Sequence, residues 1–312
     1  MKLNKIKLAL GFVTAAAMAM PIVASAAADQ EKAMKNSANW AHPRGQHDNQ
    51  AYSKLTQINK GNVKNLKAAW TLSTGVNRGH EGSPLVIGNM LYVHTAFPNN
   101  VYALDLNNNQ KVVWSYFPKQ DPSVQAVLCC DNVNRGLGFG NGKIFLQQND
   151  GNLVALNAKT GAKVWSTLNT DPKVGATNTN APHVIKDKVL TGCSGAEFGV
   201  RCFIAAYNIE DGSLAWKAMS TGPDSEVLIG ADFNKENPLY SALSVYEDVN
   251  GGNTEGGSFK RIPNDQLQGG VADLGLKTWL KPQAVKDGWQ HGGGSVWGWW
   301  PYDAKTNLVY YG

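Results

Sequence analysis

Three stretches of the chain repeat one pattern: "VYALDLNNNQKVVW" (101–114), "LVALNAKTGAKVW" (153–165) and "IAAYNIEDGSLAW" (204–216). In each, an alanine is followed two residues on by Asp or Asn, then a polar turn and an apolar strand that closes on Trp114, Trp165 or Trp216. These tryptophans lie 51 residues apart, and Trp70 in "LKAAWTLSTG" stands 44 residues before the first. Self-similarity at such a period means one supersecondary unit per repeat, each burying its face against the next. A strand pair precedes each stretch, in "GNMLYVHTAFPNN", "GNGKIFLQQNDGN" and "DKVLTGCSGAEFG". The unit is therefore four short antiparallel strands joined by Asn-Gly and Asp-Gly turns, which is the blade of a β-propeller. Isolated buried tryptophans would not share both spacing and flanking pattern. In "NAKTGAKVW" the turn asks for a positive φ at Gly161, and small Ala155 leaves Trp165 free to lie flat against a neighbouring blade.

Composition agrees with an all-β class, with 33 Gly, 10 Trp and many short β-rich runs. Residues 39–69 have another texture and predict a loop arm with one short helix near 54–66. Residues 219–290, with "VYEDVNGGNTEGGSFKRIPNDQLQGG", predict a long surface excursion before repeat texture returns in "GGGSVWGWWPYDAKTNLVYYG". A last blade that stops at Gly312 would leave the ring unclosed, so residues 27–312 are expected to form a partial propeller.

The N-terminus reads as a secretory signal peptide over residues 1–26. Lys2, Lys5 and Lys7 form its basic region, residues 8–20 its apolar core, and Ala24-Ser25-Ala26 its cleavage site. The apolar run is shorter than the ~20 residues a membrane span needs, and no later stretch reads as transmembrane. Losing three lysines lowers the formal charge from +5 to +2, which gives a nucleic-acid partner no support. Export places the chain in an oxidising space, where disulfides persist. Four cysteines are too few to staple so long a chain, so its core must come from packing.

Two of those cysteines, Cys129 and Cys130 in "AVLCCDNVNRG", are adjacent. Neighbouring Cα atoms sit ~3.8 Å apart, closer than the ~4.4–6.8 Å of ordinary disulfides. The residues alone leave two readings open: unlinked thiols, or a bond kept for a special reason. Their spacing to Cys193 and Cys202 matches no usual zinc pattern; whether those two pair across a turn is equally open. "GLGFGNG" (136–142) is followed by a strand rather than a helix, which argues against a dinucleotide loop. No Ser/His/Asp arrangement has a recognisable context, and the histidines, including His80 and His94, read as structural or surface residues.

Four motifs carry a resemblance: "GHEGSPLV" (79–86), "CCDNVNRG" (129–136), "GCSGAEFGVRC" (192–202) and "GGGSVWGWW" (292–300). With the repeats, they make the chain similar to the N-terminal half of methanol dehydrogenase large subunits, within the pyrroloquinoline quinone (PQQ) dependent alcohol dehydrogenases. The resemblance spans essentially the whole mature sequence and implies about half of an eight-bladed propeller. It implies that Cys129 and Cys130 are bonded and pack against one face of the quinone, with Trp297 stacked on the other. Trp299 and Trp300 are read as ordinary core or docking residues. Arg135 matches the family's cofactor-binding arginine, whose fork suits a carboxylate. Glu81, Thr179, Ser194, Gly195, Ala196 and Ser295 match further polar or backbone contacts; Ser295 stands where many members have Thr. Glu197 matches the glutamate ligand of a hard cation, Ca²⁺ or a lanthanide(III).

The activity so implied is periplasmic oxidation of methanol, or another small primary alcohol, to aldehyde, with electrons leaving to a c-type cytochrome. A homodimer is compatible with this. The family's catalytic base, an aspartate, and a metal-binding asparagine fall beyond Gly312, so no catalytic residue is expected in this chain and the chain alone is expected to be inactive. "GAEFGVRC" and "FPNNVYALDLN" favour the lanthanide branch over the calcium branch. The rivals are an ethanol-type quinoprotein dehydrogenase and a non-catalytic propeller scaffold of the outer-membrane assembly kind. Such a scaffold has no use for "CCD", "SGAE" or "GGGSVW".

Overall fold

The computed structural model describes residues 28–222, 245–248, 259–262, 290 and 292–312. The expected signal peptide, and most of the expected excursion, lie outside the described residues.

Three four-stranded antiparallel sheets follow one another along the chain. The first holds β1 (Leu85–Ile87), β2 (Met90–His94), β3 (Val101–Asp105) and β4 (Lys111–Tyr116). The second holds β5 (Leu137–Gly140), β6 (Lys143–Gln147), β7 (Asn152–Asn157) and β8 (Lys163–Leu168). The third holds β9 (His183–Ile185), β10 (Lys188–Thr191), β11 (Phe203–Asn208) and β12 (Leu214–Met219). Strand order equals sequence order in all three, as hairpin-built blades require. The "GLGFGNG" segment forms β5 and the turn into β6. Within the expected excursion, β13 (Val245–Asp248) pairs with β14 (Phe259–Ile262). A last hairpin, β15 (Tyr302–Asp303) with β16 (Leu308–Val309), carries the returning repeat texture.

The repeated alanine and tryptophan face each other across the outer strand pair: Ala103 with Trp114, Ala155 with Trp165, Ala206 with Trp216. A bulge follows the alanine in every blade and increases the local twist. The indole then reaches the next blade. Trp114 donates to the Ala158 carbonyl at 3.0 Å, and Trp165 to the Ile209 carbonyl at 3.1 Å. Each ring lies over a glycine at φ +71°, Gly161 or Gly212, where an added Cβ would come within 2.6 Å of the indole. Gln110 and Asn307 occupy the corresponding turn positions with φ 54° and 57°. The tryptophans of the preceding repeats, Trp70 and Trp216, are 42% and 44% exposed.

Apolar clusters fill the spaces between successive sheets. An N-terminal arm closes one side of the molecule. Helix α1 (Ala28–Lys35) is fixed at its start, because the Asp29 carboxylate accepts from the Asn141 and Gly142 amides at 2.7 Å each. His42 is buried 3.2 Å from His183, and His183 stacks on Trp300 at 4.9 Å. The predicted helix over 54–66 is not formed; a single 3-10 turn, Val63–Asn65, stands in its place. Leu55, Ile58 and Leu66 have helical spacing but are exposed, and a short helix without a packed face is marginal in water. Among the described residues, no helix is long and apolar enough to cross a membrane.

Candidate cofactor and metal site

Arg135 lies between the cysteine loop and β5, and its backbone is gripped from three directions. Its amide donates to the Thr179 carbonyl at 3.0 Å, and its carbonyl accepts from the Trp299 indole at 3.2 Å. The carbonyl of preceding Asn134 lies 3.1 Å from His94 Nε2. The side chain is buried, with Nε 3.1 Å from a Glu81 carboxylate oxygen and Nη1 donating to the Thr179 hydroxyl. Burial pulls its pKa below the ordinary guanidinium range, and the Glu81 carboxylate opposes that shift. The guanidinium carbon lies 4.5 Å from the centroid of Trp297, whose ring is 46% exposed. Four expected site residues, Glu81, Arg135, Thr179 and Trp297, thus form one contact set.

A second set lies beside it. Ser194 pairs through its backbone with Thr177, two residues from Thr179, and its buried hydroxyl lacks a hydrogen-bond partner. Ala196 and Glu197 follow on a single 3-10 turn, Ala196–Phe198, headed by Gly195, and Glu197 is exposed. Cys193 and Cys202 are disulfide-bonded, with Cα atoms 5.3 Å apart. The strap 292–297 carries partly exposed Ser295, and its Val296 pairs with Cys193. Cys129 and Cys130 are bonded to each other, which settles the open reading in favour of a vicinal disulfide and leaves no free cysteine. Their loop is anchored by the Asn132 carbonyl, which accepts from the Phe97 amide at 2.9 Å. Among the described residues, no three His, Cys, Asp or Glu side chains form a metal cluster.

A family model described as "PQQ: Glucose/ethanol/alcohol dehydrogenase, beta-propeller domain" matches residues 40–236. The chain belongs to that PQQ dehydrogenase family. It is 47% identical over 292 residues to a "Lanthanide-dependent methanol dehydrogenase" of Methylorubrum extorquens, a match covering 93% of this chain and 43% of the relative. It is 45% identical over 284 residues to "Methanol dehydrogenase [cytochrome c] subunit 1" of the same organism, covering 89% of this chain and 40% of the relative. A solved structure titled "Europium-containing methanol dehydrogenase" superposes with a TM-score of 0.74 at 44% identity, over 91% of this chain and 44% of that one. The chain therefore spans less than half the length of these relatives.

As a PQQ-family blade set, the site has the chemistry that a flat tricarboxylate needs. Arg135 supplies a forked cation, and Ser194 an unpartnered hydroxyl. Trp297 is partly exposed and has the Arg135 guanidinium over its ring, so an aromatic surface and the forked cation lie together. Glu197 presents one exposed carboxylate, and among the described residues no cluster of His, Cys, Asp or Glu joins it. The sequence reading took Trp299 for an ordinary core or docking residue but missed its partner, the Arg135 carbonyl that its indole holds. No local signal could reveal a contact 164 residues apart. It also missed a repeated turn: Asp121-Pro122 and Asp171-Pro172 each open a 3-10 helix with the Asp side chain accepting an amide two residues on. That signal was legible, because the dipeptide recurs 50 residues apart.

Proposed function

We propose that the chain forms the cofactor-binding part of a periplasmic PQQ-dependent dehydrogenase that oxidises methanol or a similar small primary alcohol to aldehyde. The observation that carries this is the buried Arg135 fork, held by Glu81 at 3.1 Å and set against the partly exposed ring of Trp297. Bound PQQ with its cation would supply an electrophilic quinone carbonyl that accepts hydride from the alcohol. The chain's own residues bind and orient. Glu81 takes Nε of Arg135 and Thr179 takes Nη1, which fixes the plane of the guanidinium and leaves Nη2 to meet a carboxylate. Ser194 completes its own hydrogen bonding on a polar ligand, and Trp297 with the Cys129–Cys130 pair would bracket a flat ring. Glu197 is the chain's carboxylate for the cation. The lanthanide-dependent relative supports a lanthanide(III) over Ca²⁺, and the leader sequence supports export; the electrons would pass to a c-type cytochrome.

The test is titration of the protein with PQQ, read by quenching of tryptophan fluorescence, for wild type and Arg135→Lys. Lysine keeps the charge and loses the fork. Loss of a charged hydrogen bond, about 1.5–3 kcal/mol, weakens binding roughly tenfold to hundredfold. Equal affinity of the two proteins would remove Arg135 from the site.

A further inference from the structure

The two residues that close the Cys193–Cys202 disulfide also close the loop bearing Ser194, Gly195, Ala196 and Glu197. Both half-cystines are buried in the apolar cluster of blade three, beside Val184, Val189 and Phe203. Ser194 and Arg201 tie the ends of the loop to Thr177 and Gly293, and between them its tip is held by its 3-10 turn, with Phe198 and Val200 amides donating to the Gly195 carbonyl at 2.9 and 3.2 Å. Glu197 and Phe198 are exposed at its tip. Left to itself, such a loop would sample many backbone states, and a carboxylate on it would hold a cation poorly.

The same two cysteines hold the strap. The Cys193 amide donates to the Val296 carbonyl at 3.1 Å, and the Val296 amide donates to the Cys193 carbonyl at 2.7 Å. The Cys202 amide donates to the Gly293 carbonyl at 3.4 Å. The strap runs so close that a Cβ on Gly192 would strike the Val296 carbonyl. The disulfide thus closes the base of the carboxylate loop, and backbone hydrogen bonds from the same two residues hold the strap that carries Ser295 and Trp297.

We propose that Cys193–Cys202 is a positioning device: it fixes the Glu197 loop relative to the Trp297 strap, so that the cation and the aromatic ligand are held in one frame. This rests on the PQQ reading of the site and adds to it a coupling between its two halves.

Two double variants of the full protein test it: Cys193→Ser with Cys202→Ser, and Cys193→Val with Cys202→Ala, which refills the apolar space without a bond. Europium(III) luminescence and PQQ quenching of tryptophan fluorescence give the two dissociation constants. Amide hydrogen exchange over residues 194–201 reads the loop without any ligand. The expected result is a folded protein with exchange in that loop accelerated at least about tenfold, β11 unchanged, and europium affinity lowered about tenfold to hundredfold. A stabilising bond with no positioning role would lower the melting temperature and leave both constants and the loop exchange unchanged, which overturns the proposal. Failure of both variants to fold also overturns it, since the bond would then serve folding. If wild type binds neither europium nor PQQ, the PQQ reading falls, and the exchange data still decide whether the bond orders the loop.

Discussion

Glu197 shows how little a single exposed side chain tells without its surroundings. On the surface of a 3-10 turn it looks like an ordinary solvated carboxylate. The role proposed for it rests on the buried, unpartnered Ser194 hydroxyl three residues before it and on the similarity to a lanthanide-dependent relative. Changing Glu197→Gln removes the charge and keeps the size. As an exposed change it should cost no more than about 0.5 kcal/mol of stability, while metal content and alcohol oxidation of the holoenzyme fall together. Elemental analysis beside the dye-linked methanol rate checks this; stoichiometric metal at a normal rate would return Glu197 to the solvated class. At this scale the sequence marked adjacent Cys129 and Cys130 as unusual but left their bonding open; the family resemblance implied the bond that the structure contains. The sequence was least legible for Trp299 and His42, whose partners Arg135 and His183 lie 164 and 141 residues away and follow from packing alone.

The blades were readable as elements because one repeat encodes both a strand period and a docking rule. Trp114 lies over Gly161 and Trp165 over Gly212, so the glycine is demanded twice, by its φ of +71° and by the ring above it. Gly161→Ala places a Cβ 2.6 Å from the indole in a left-handed conformation, and should cost about 2 kcal/mol or more. Denaturant unfolding measures the loss; a change below about 0.5 kcal/mol would mean that the interblade contact is slack. The helix expected near 54–66 was misread because its apolar spacing is helical while nothing packs on it. The arm before it is held differently. Burial lowers the pKa of His183 to about 3 and that of His94 to about 4, and His42 is also lowered, by burial first and then by His183 and His47. His47 itself faces Glu31 at 3.0 Å and Tyr302. Unfolded imidazoles take up protons near 6.5, whereas these folded ones resist until far lower pH. Their stabilising contribution is thus full above about 6.5 and drains away as pH falls towards 4. The melting temperature should decline across that window, and less so in His183→Gln; a flat profile from pH 7 to 5 would contradict this role of the buried histidines.

For the molecule as a whole, the outer strands β4, β8 and β12 leave apolar side chains in solvent, among them Val113, Val164 and Leu214. Tyr52, Phe117 and Leu168 add rings and branches that are 60% exposed or more. Open strand edges with such surfaces favour association. The 312-residue chain by itself should therefore self-associate at micromolar concentration, which sedimentation velocity reads directly; a monodisperse monomer would show that these edges are harmless. The indole docking has a consequence for how such a chain comes into being. Every sheet is contiguous in sequence, so a blade can form as soon as its fourth strand is available. Yet Trp114 and Trp165 find their seats only on the turn of the blade that follows. A chain arriving N-terminus first thus always carries one unsealed indole at its growing front, and each new blade completes its predecessor before it can complete itself.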